Sequence, residues 1–156
     1  MEFAFTLPVL VLIFYGLTTF GAAFYTQLAV SRAAEDAVRS AAYLTTAKTY
    51  ATVSDSVKSS IKDEVINSLA TSAIAPSSSN SSYTVRRTWM VNHVRAQIVV
   101  DNGSCGAVGN ASDVLRVKFS YPYSSTRLLP PINLPGVGNL GAWMPDTLVG
   151  CAIAKL

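Results

Sequence analysis

Residues 2–30 read EFAFTLPVLVLIFYGLTTFGAAFYTQLAV, and after Glu2 no charge occurs until Arg32. At a rise of about 1.5 Å per residue, a helical run of this length crosses the roughly 30 Å hydrocarbon core of a bilayer with residues to spare. Such a segment either sits in lipid or is buried among copies of itself. Pro8 falls in its first turns, where a missing N–H costs little, although a kink remains open to it. Gly16, Gly21, Ala22 and Ala23 are small enough to let another helix approach closely. Their alternative is a fit against the chain's own sheet.

Outward from that run the character changes without a break. Ala29/Val30, Ala33/Ala34, Ala37/Val38 and Ala41/Ala42 recur every four residues, a narrow stripe on one helical face. Arg32, Glu35, Asp36 and Arg39 occupy the other faces, with Arg32–Asp36 and Glu35–Arg39 at i,i+4 spacing. The helix is therefore expected to run to about Thr46, its second half packed on one side only. Ser54 reads as the N-cap of a second helix, in which Val57, Ile61, Val65 and Leu69 form the apolar stripe. Residues 75–82 (APSSSNSS) read as a polar loop.

From Tyr83 the period reads as two. Val85, Arg87, Trp89 and Val91 alternate, as do Val94, Ala96, Ile98 and Val100, and then Leu115, Val117, Phe119 and Tyr121. Asp101-Asn102-Gly103 supplies turn chemistry, a Pro/Gly-rich apolar loop occupies residues 127–145, and a short strand is expected near residues 148–154. The fold class expected is α+β: a long N-terminal helix, a second amphipathic helix, and an antiparallel head of about four strands. Residues 1–30 would form the membrane or filament-core segment, and residues 31–156 the head.

Composition narrows the function. The chain has 156 residues and a formal charge of +3, too little to argue for a nucleic-acid partner. Arg86, Arg87, Arg95, Arg116 and Lys118 are expected on the solvated face of the sheet, the alternative being a patch that touches anionic surfaces. Cys105 and Cys151 behind a membrane-directing segment favour one disulfide in an oxidising compartment, against two buried thiols. His93 and Cys105 allow a Cys–His dyad by count alone, without a surrounding signature. Metal-ligand spacing is missing, and the glycines of GVGNLG do not follow a strand and open a helix. No enzyme and no cofactor is expected.

Glu2 bears on assembly. An ionised carboxylate beside an apolar medium costs several kcal/mol unless paired. It can rest at the water interface. In a bundle of staggered identical helices it needs a cation, such as a neighbour's terminal amine.

Glu2-Phe3-Ala4, Leu7-Pro8, the apolar run to Gly21 and then Ala22-Ala23-Phe24-Tyr25 resemble the N-terminus of TadE-like pilins and pseudopilins, from the tight-adherence (Tad) branch of type IV pilus systems. AAEDAVRSAAYL and the later VLRVKFSYPY are similar to that family as well. The resemblance implies a protein cut by a prepilin peptidase, held in the bacterial inner membrane, and passed by assembly machinery into a homo-oligomeric helical filament at the cell surface. It places the family's acid at Glu2. In the family that acid normally stands fifth after cleavage, whereas here only Met1 precedes it. The assembly residues expected are Glu2, Phe3, Pro8, Gly16, Gly21, Ala22 and Ala23. The alternative function is a single-pass anchored periplasmic module that never polymerises.

Overall fold

A computed structural model describes residues 3–106, 112–127, 133–134, 138–139 and 144–156. Helix α1 runs Phe3–Leu44, 42 residues, with Pro8 inside its early turns. Its length is about 63 Å. The helix stops where Thr45 turns its hydroxyl onto the Ala47 N–H at 3.0 Å, a local bond that competes with helix propagation.

The small-residue stripe is buried as its period requires: Val30, Ala33, Ala34, Ala37 and Ala41 are inaccessible, while Ala42, expected on the same stripe, is exposed. Close to 100° of turn per residue carries Ala42 past the edge of the covered sector. Neither Arg32–Asp36 nor Glu35–Arg39 closes to ion-pair distance among the described residues. Asp36 instead accepts a 2.9 Å bond from the Ser68 hydroxyl, which ties α1 to the next helix.

That helix, α2, spans Asp55–Thr71 after N-cap Ser54, and buries Ile61, Val65, Ile66, Leu69 and Ala70. The Ser54 hydroxyl meets Ser56 Oγ rather than a backbone N–H, so the cap is positional only.

The strands expected from Tyr83 to Val100 are corrected. Tyr83–His93 is helix α3, followed by a 3₁₀ turn at Arg95–Gln97, and only Val99–Asp101 is extended, as β1. Ser82 caps α3, its hydroxyl accepting the Val85 N–H at 3.3 Å. Met90 and Val94, four apart, are fully buried, a helical spacing that the alternation of Val, Trp and Arg obscured. Docking on α2 holds this segment helical: Arg86 Nε donates to the Ala70 carbonyl at 2.8 Å, and Arg87 Nε to Asn67 Oδ1 at 2.9 Å. Tertiary contact overrides a weak strand propensity here.

Strand β2 is Val114–Tyr121, with Leu115, Val117, Phe119 and Tyr121 buried on one face. Short strands β3 (Asn133–Leu134) and β4 (Gly138–Asn139) pair with each other inside the Pro/Gly-rich segment, most of which lies outside the described residues. Strand β5 is Leu148–Lys155. The main sheet is antiparallel in order β1-β2-β5, with Lys118 opposite Cys151 and Phe119 opposite Gly150. Among the described residues, three strands and a small hairpin stand where a meander of about four strands was expected.

The inner face of the sheet meets α1, α2 packs on α1 in turn, and their buried residues form one core. Tyr121 is wholly buried, and its hydroxyl donates to the Ile74 carbonyl at 2.6 Å, pinning the segment after α2 to the sheet. Burial pushes its phenol up to about 12. The outward edge of β1 is covered in part by Tyr50, whose hydroxyl donates to the Val100 carbonyl at 2.7 Å.

Candidate functional site

Two seams run along α1, and they have opposite surroundings. Thr19, Ala23, Thr26, Val30, Ala33 and Ala37 follow one another at three- and four-residue steps on the inner side. Thr26 is 1% exposed and returns its hydroxyl to the Ala22 carbonyl at 2.8 Å. Thr19, 9% exposed, does the same to Tyr15. This satisfies both hydroxyls within the helix, so neither threonine carries an unpaired polar group into a dry contact. On the outer side Phe14, Leu17, Gly21, Phe24 and Leu28 step along the helix in the same rhythm, and all are open; Phe24 is 72% exposed.

The head grips the inner seam. Gln27 Nε2 donates to the Val149 carbonyl at 3.1 Å. One residue on, Gly150 lets β5 come against α1: a Cβ there would stand 2.9 Å from the Val30 carbonyl oxygen. From this point β5 and α1 run alongside, and Ala154 and Leu156 reach the level of Ala41 and Thr45.

The expected assembly residues therefore divide. Glu2 lies outside the described residues. Phe3 begins the α1 backbone, and Pro8 is exposed in its early turns. Nothing lies within 4 Å of a Cβ built on Gly16 or Gly21. Ala22 and Ala23 are half-buried instead, and Ala23 packs against the core cluster. The four small residues do not form one patch: Gly21 is on the open seam, and Ala23 belongs to the head contact. Thr19 and Thr26, missed in the sequence, carried a signal in their seven-residue spacing inside an otherwise apolar run.

Cys105 and Cys151 form a disulfide, Cα to Cα 5.9 Å. It joins the turn after β1 to the middle of β5. Beneath it Arg116 grips Asp101 with two nitrogens, one at 2.7 Å, and donates from a third to the Ser104 carbonyl at 2.9 Å. The guanidinium holds the Asp101 carboxyl below its usual range. A side chain at Gly103 would meet that guanidinium, which would have to swing aside.

The bond removes Cys105 as a thiol nucleophile. His93 stacks on Trp89 with ring centres 4.5 Å apart, its Nδ1 2.9 Å from the Trp89 carbonyl, as a helix-end residue. The basic residues do not share a sheet face, which corrects the expectation: Arg86 and Arg87 tie α3 to α2, Arg95 pairs with Asp63, and Arg116 with Asp101. Lys118 alone among them stands exposed on β2. A cleft of about 630 Å³ between α2 and β1 is lined by Lys58, Lys62 and Arg95, but Asp55 and Asp63 already answer two of these charges. Among the described residues no group of three or more His, Cys, Asp or Glu could hold a metal ion.

The chemistry of this chain therefore centres on the open apolar side of α1, a helix long and apolar enough to cross a membrane. Residues 1–39 match the TadE-like protein family. The TadE-like segment thus covers the exposed run and most of the alanine stripe, and ends before the head's own elements begin. The match is consistent with membrane anchoring through α1. No curated protein and no solved structure matches the chain.

Proposed function

We propose that this chain is a structural subunit, a pilin or minor pilin, that polymerises through α1 into a Tad pilus filament used in surface attachment. The observation that carries the reading is the open seam of α1. Five apolar positions from Phe14 to Leu28 are uncovered on one side of the helix, and Leu7 to Ile13 before them are open as well, while the alanine stripe further along closes a core with the head. An apolar strip of this length in water invites association, and helices that meet in lipid do so through packing around small residues such as Gly21. The TadE-like match over the same residues supports this use of the helix.

In this reading residues 1–30 are the membrane and filament-core segment, and residues 31–156 are the head outside it. The subunit waits in the bacterial inner membrane, is cut by a prepilin peptidase, and leaves through the assembly machinery. Its partners are further copies of itself, its role is structural rather than catalytic, and it takes no cofactor. Phe3, Pro8, Gly16, Gly21 and Ala22 set the helix contacts, and Glu2 pairs with a cation of a neighbouring copy.

The second reading, an anchored module that never polymerises, draws on the same exposed helix, which one membrane span would also satisfy. Filaments sheared from cells decide between them. Finding the chain as a repeating component of the fibres supports the subunit; finding it only in membranes supports the anchor.

A further inference from the structure

We infer that before assembly α1 enters the bilayer tilted, with the seam Leu17, Gly21, Phe24 and Leu28 turned down onto lipid and the head riding on the upper side of the helix. The inference rests on the membrane insertion proposed above and adds the direction and size of the lean.

Burial of α1 begins at different heights on its two sides. On the inner seam Thr19 is already covered, Ala23 packs against the core, and Thr26 is closed off. On the outer seam Phe24 and Leu28 are open, and polarity begins only with Arg32, Glu35 and Arg39, all exposed. The apolar surface thus ends about 13 Å further along the axis on the outer side, at 1.5 Å per residue from Thr19 to Leu28. A helix with side chains is roughly 10–12 Å across, so a flat membrane surface that respects both limits cuts it obliquely.

The length of the run leads to the same lean. From Phe3 to Leu28 the axis measures about 39 Å, against a hydrocarbon core of about 30 Å, and tilting is the ordinary way to bury the excess. A tilt of about 30–40° accommodates it, with the headgroup layer absorbing the remainder. An upright helix would fail on both sides. With Leu28 at the lipid boundary, the contact of Gln27 with Val149 and the backbone of Gly150 would be pressed to the same depth, along with the sheet edge they belong to. With Thr19 at the boundary, Phe20, Phe24, Tyr25 and Leu28 would stand in water.

The direction of the lean follows from geometry. In a tilted rod the underside stays in the membrane longer than the upper side. The outer seam is therefore the underside, and β5, which flanks the inner seam, is lifted clear. Phe24 stays in lipid, and the Tyr25 ring, apolar with a polar tip, points toward the interfacial layer where tyrosine is favoured.

The test uses the full chain in vesicles of equal parts phosphatidylethanolamine and phosphatidylglycerol. Nitroxide labels are placed singly at Phe14→Cys, Phe24→Cys, Leu28→Cys and Ala42→Cys, with the native disulfide intact. Collision with oxygen, which concentrates in lipid, is compared with collision with a water-soluble nickel chelate. Oxygen-favoured contact at positions 14, 24 and 28, with nickel-favoured contact at 42, supports the inference. Oxygen preference at 14 with nickel preference at 24 and 28 overturns it while leaving membrane insertion standing. Nickel preference at 14 as well sinks the insertion reading itself. Shielding from both reagents at 24 and 28, with spin–spin broadening, would show a second copy on the seam and overturn the lipid assignment. The unsubstituted chain, labelled with nitrogen-15 in oriented bilayers, gives an independent reading; a tilt under about 10° refutes the lean.

Discussion

Gly150 of β5 lies against Val30 of α1 so closely that a Cβ on the glycine would stand 2.9 Å from the Val30 carbonyl oxygen and 2.9 Å from Phe119 Cε1. Backbone and a buried aromatic ring border the space, so neither yields easily. Gly150→Ala is expected to cost about 1–3 kcal/mol by overpacking, and Gly150→Val more. Chemical denaturation of the full chain in detergent, compared with Gly106→Ala, where nothing lies within 4 Å but φ is +90°, separates crowding from backbone strain. Unchanged stability in Gly150→Val would contradict the close approach.

Ala37 and Ala42 belong to the same alanine-rich run and have opposite fates, one inaccessible and one exposed. Ala37→Leu should destabilise the head by about 1–3 kcal/mol. Ala42→Leu should stay within about 0.5 kcal/mol of the parent, as surface changes do. Equal losses from the two variants would place the head on the wrong sector of α1.

The disulfide closes a loop with a sequence separation of 46. Chain entropy puts its contribution at about 4 kcal/mol, less any strain. Thermal unfolding with and without reductant should show a clear drop in Tm, reproduced by the Cys105→Ser/Cys151→Ser double variant. Alkylation of the native protein should trap no thiol.

Tyr121 makes stability fall at alkaline pH. Its phenol is raised from 10.0 to about 12 by burial, so the folded state keeps a proton that the unfolded chain gives up. Stability is complete below pH 10 and declines through the folded value, with a total loss of about 2–3 kcal/mol from this group. Tyr121→Phe should flatten that decline at the cost of the bond to Ile74. Asp101 works at the acid end with the opposite sign: its carboxyl is lowered by Arg116, so its contribution is present above 3.8 and disappears as pH falls toward the folded value. Denaturation midpoints across pH for Tyr121→Phe and Asp101→Asn check both.

Gly21 lies on the open seam with nothing within 4 Å, so Gly21→Leu should leave head stability unchanged and lower filament yield. Glu2→Ala is expected to leave the chain in the membrane and stop polymerisation, because the pairing that sets register is gone. Cell fractionation with filament counting reads both. Normal yield from both variants would remove the helix contacts proposed for assembly.

What was legible in the sequence was whatever depends on periodicity along one element. Twenty-odd apolar residues bounded by Glu2 and Arg32, alanines every four positions, and alternation from Leu115 to Tyr121 each carry their own geometry. α1, its buried stripe and β2 accordingly follow the reading. Residues 83–94 did not, because alternating Val, Arg and Trp suits a strand locally. Only the bonds of Arg86 and Arg87 to α2 and the burial of Met90 and Val94 make the helix the better state. The pairing of Cys105 with Cys151 was open to count, but its place across β5 came from the fold. The extent of the gripped seam on α1, which reaches Ala23 and Thr26 beyond the alanine stripe, was decided by the tertiary structure. Gly21 and Ala23 are both small in the sequence, and the approach of β5 at Gly150 sets the head on the side that carries Ala23 and Thr26. The period within α1 marks the sector that is covered, but how far along the helix the cover reaches is a property of two surfaces meeting.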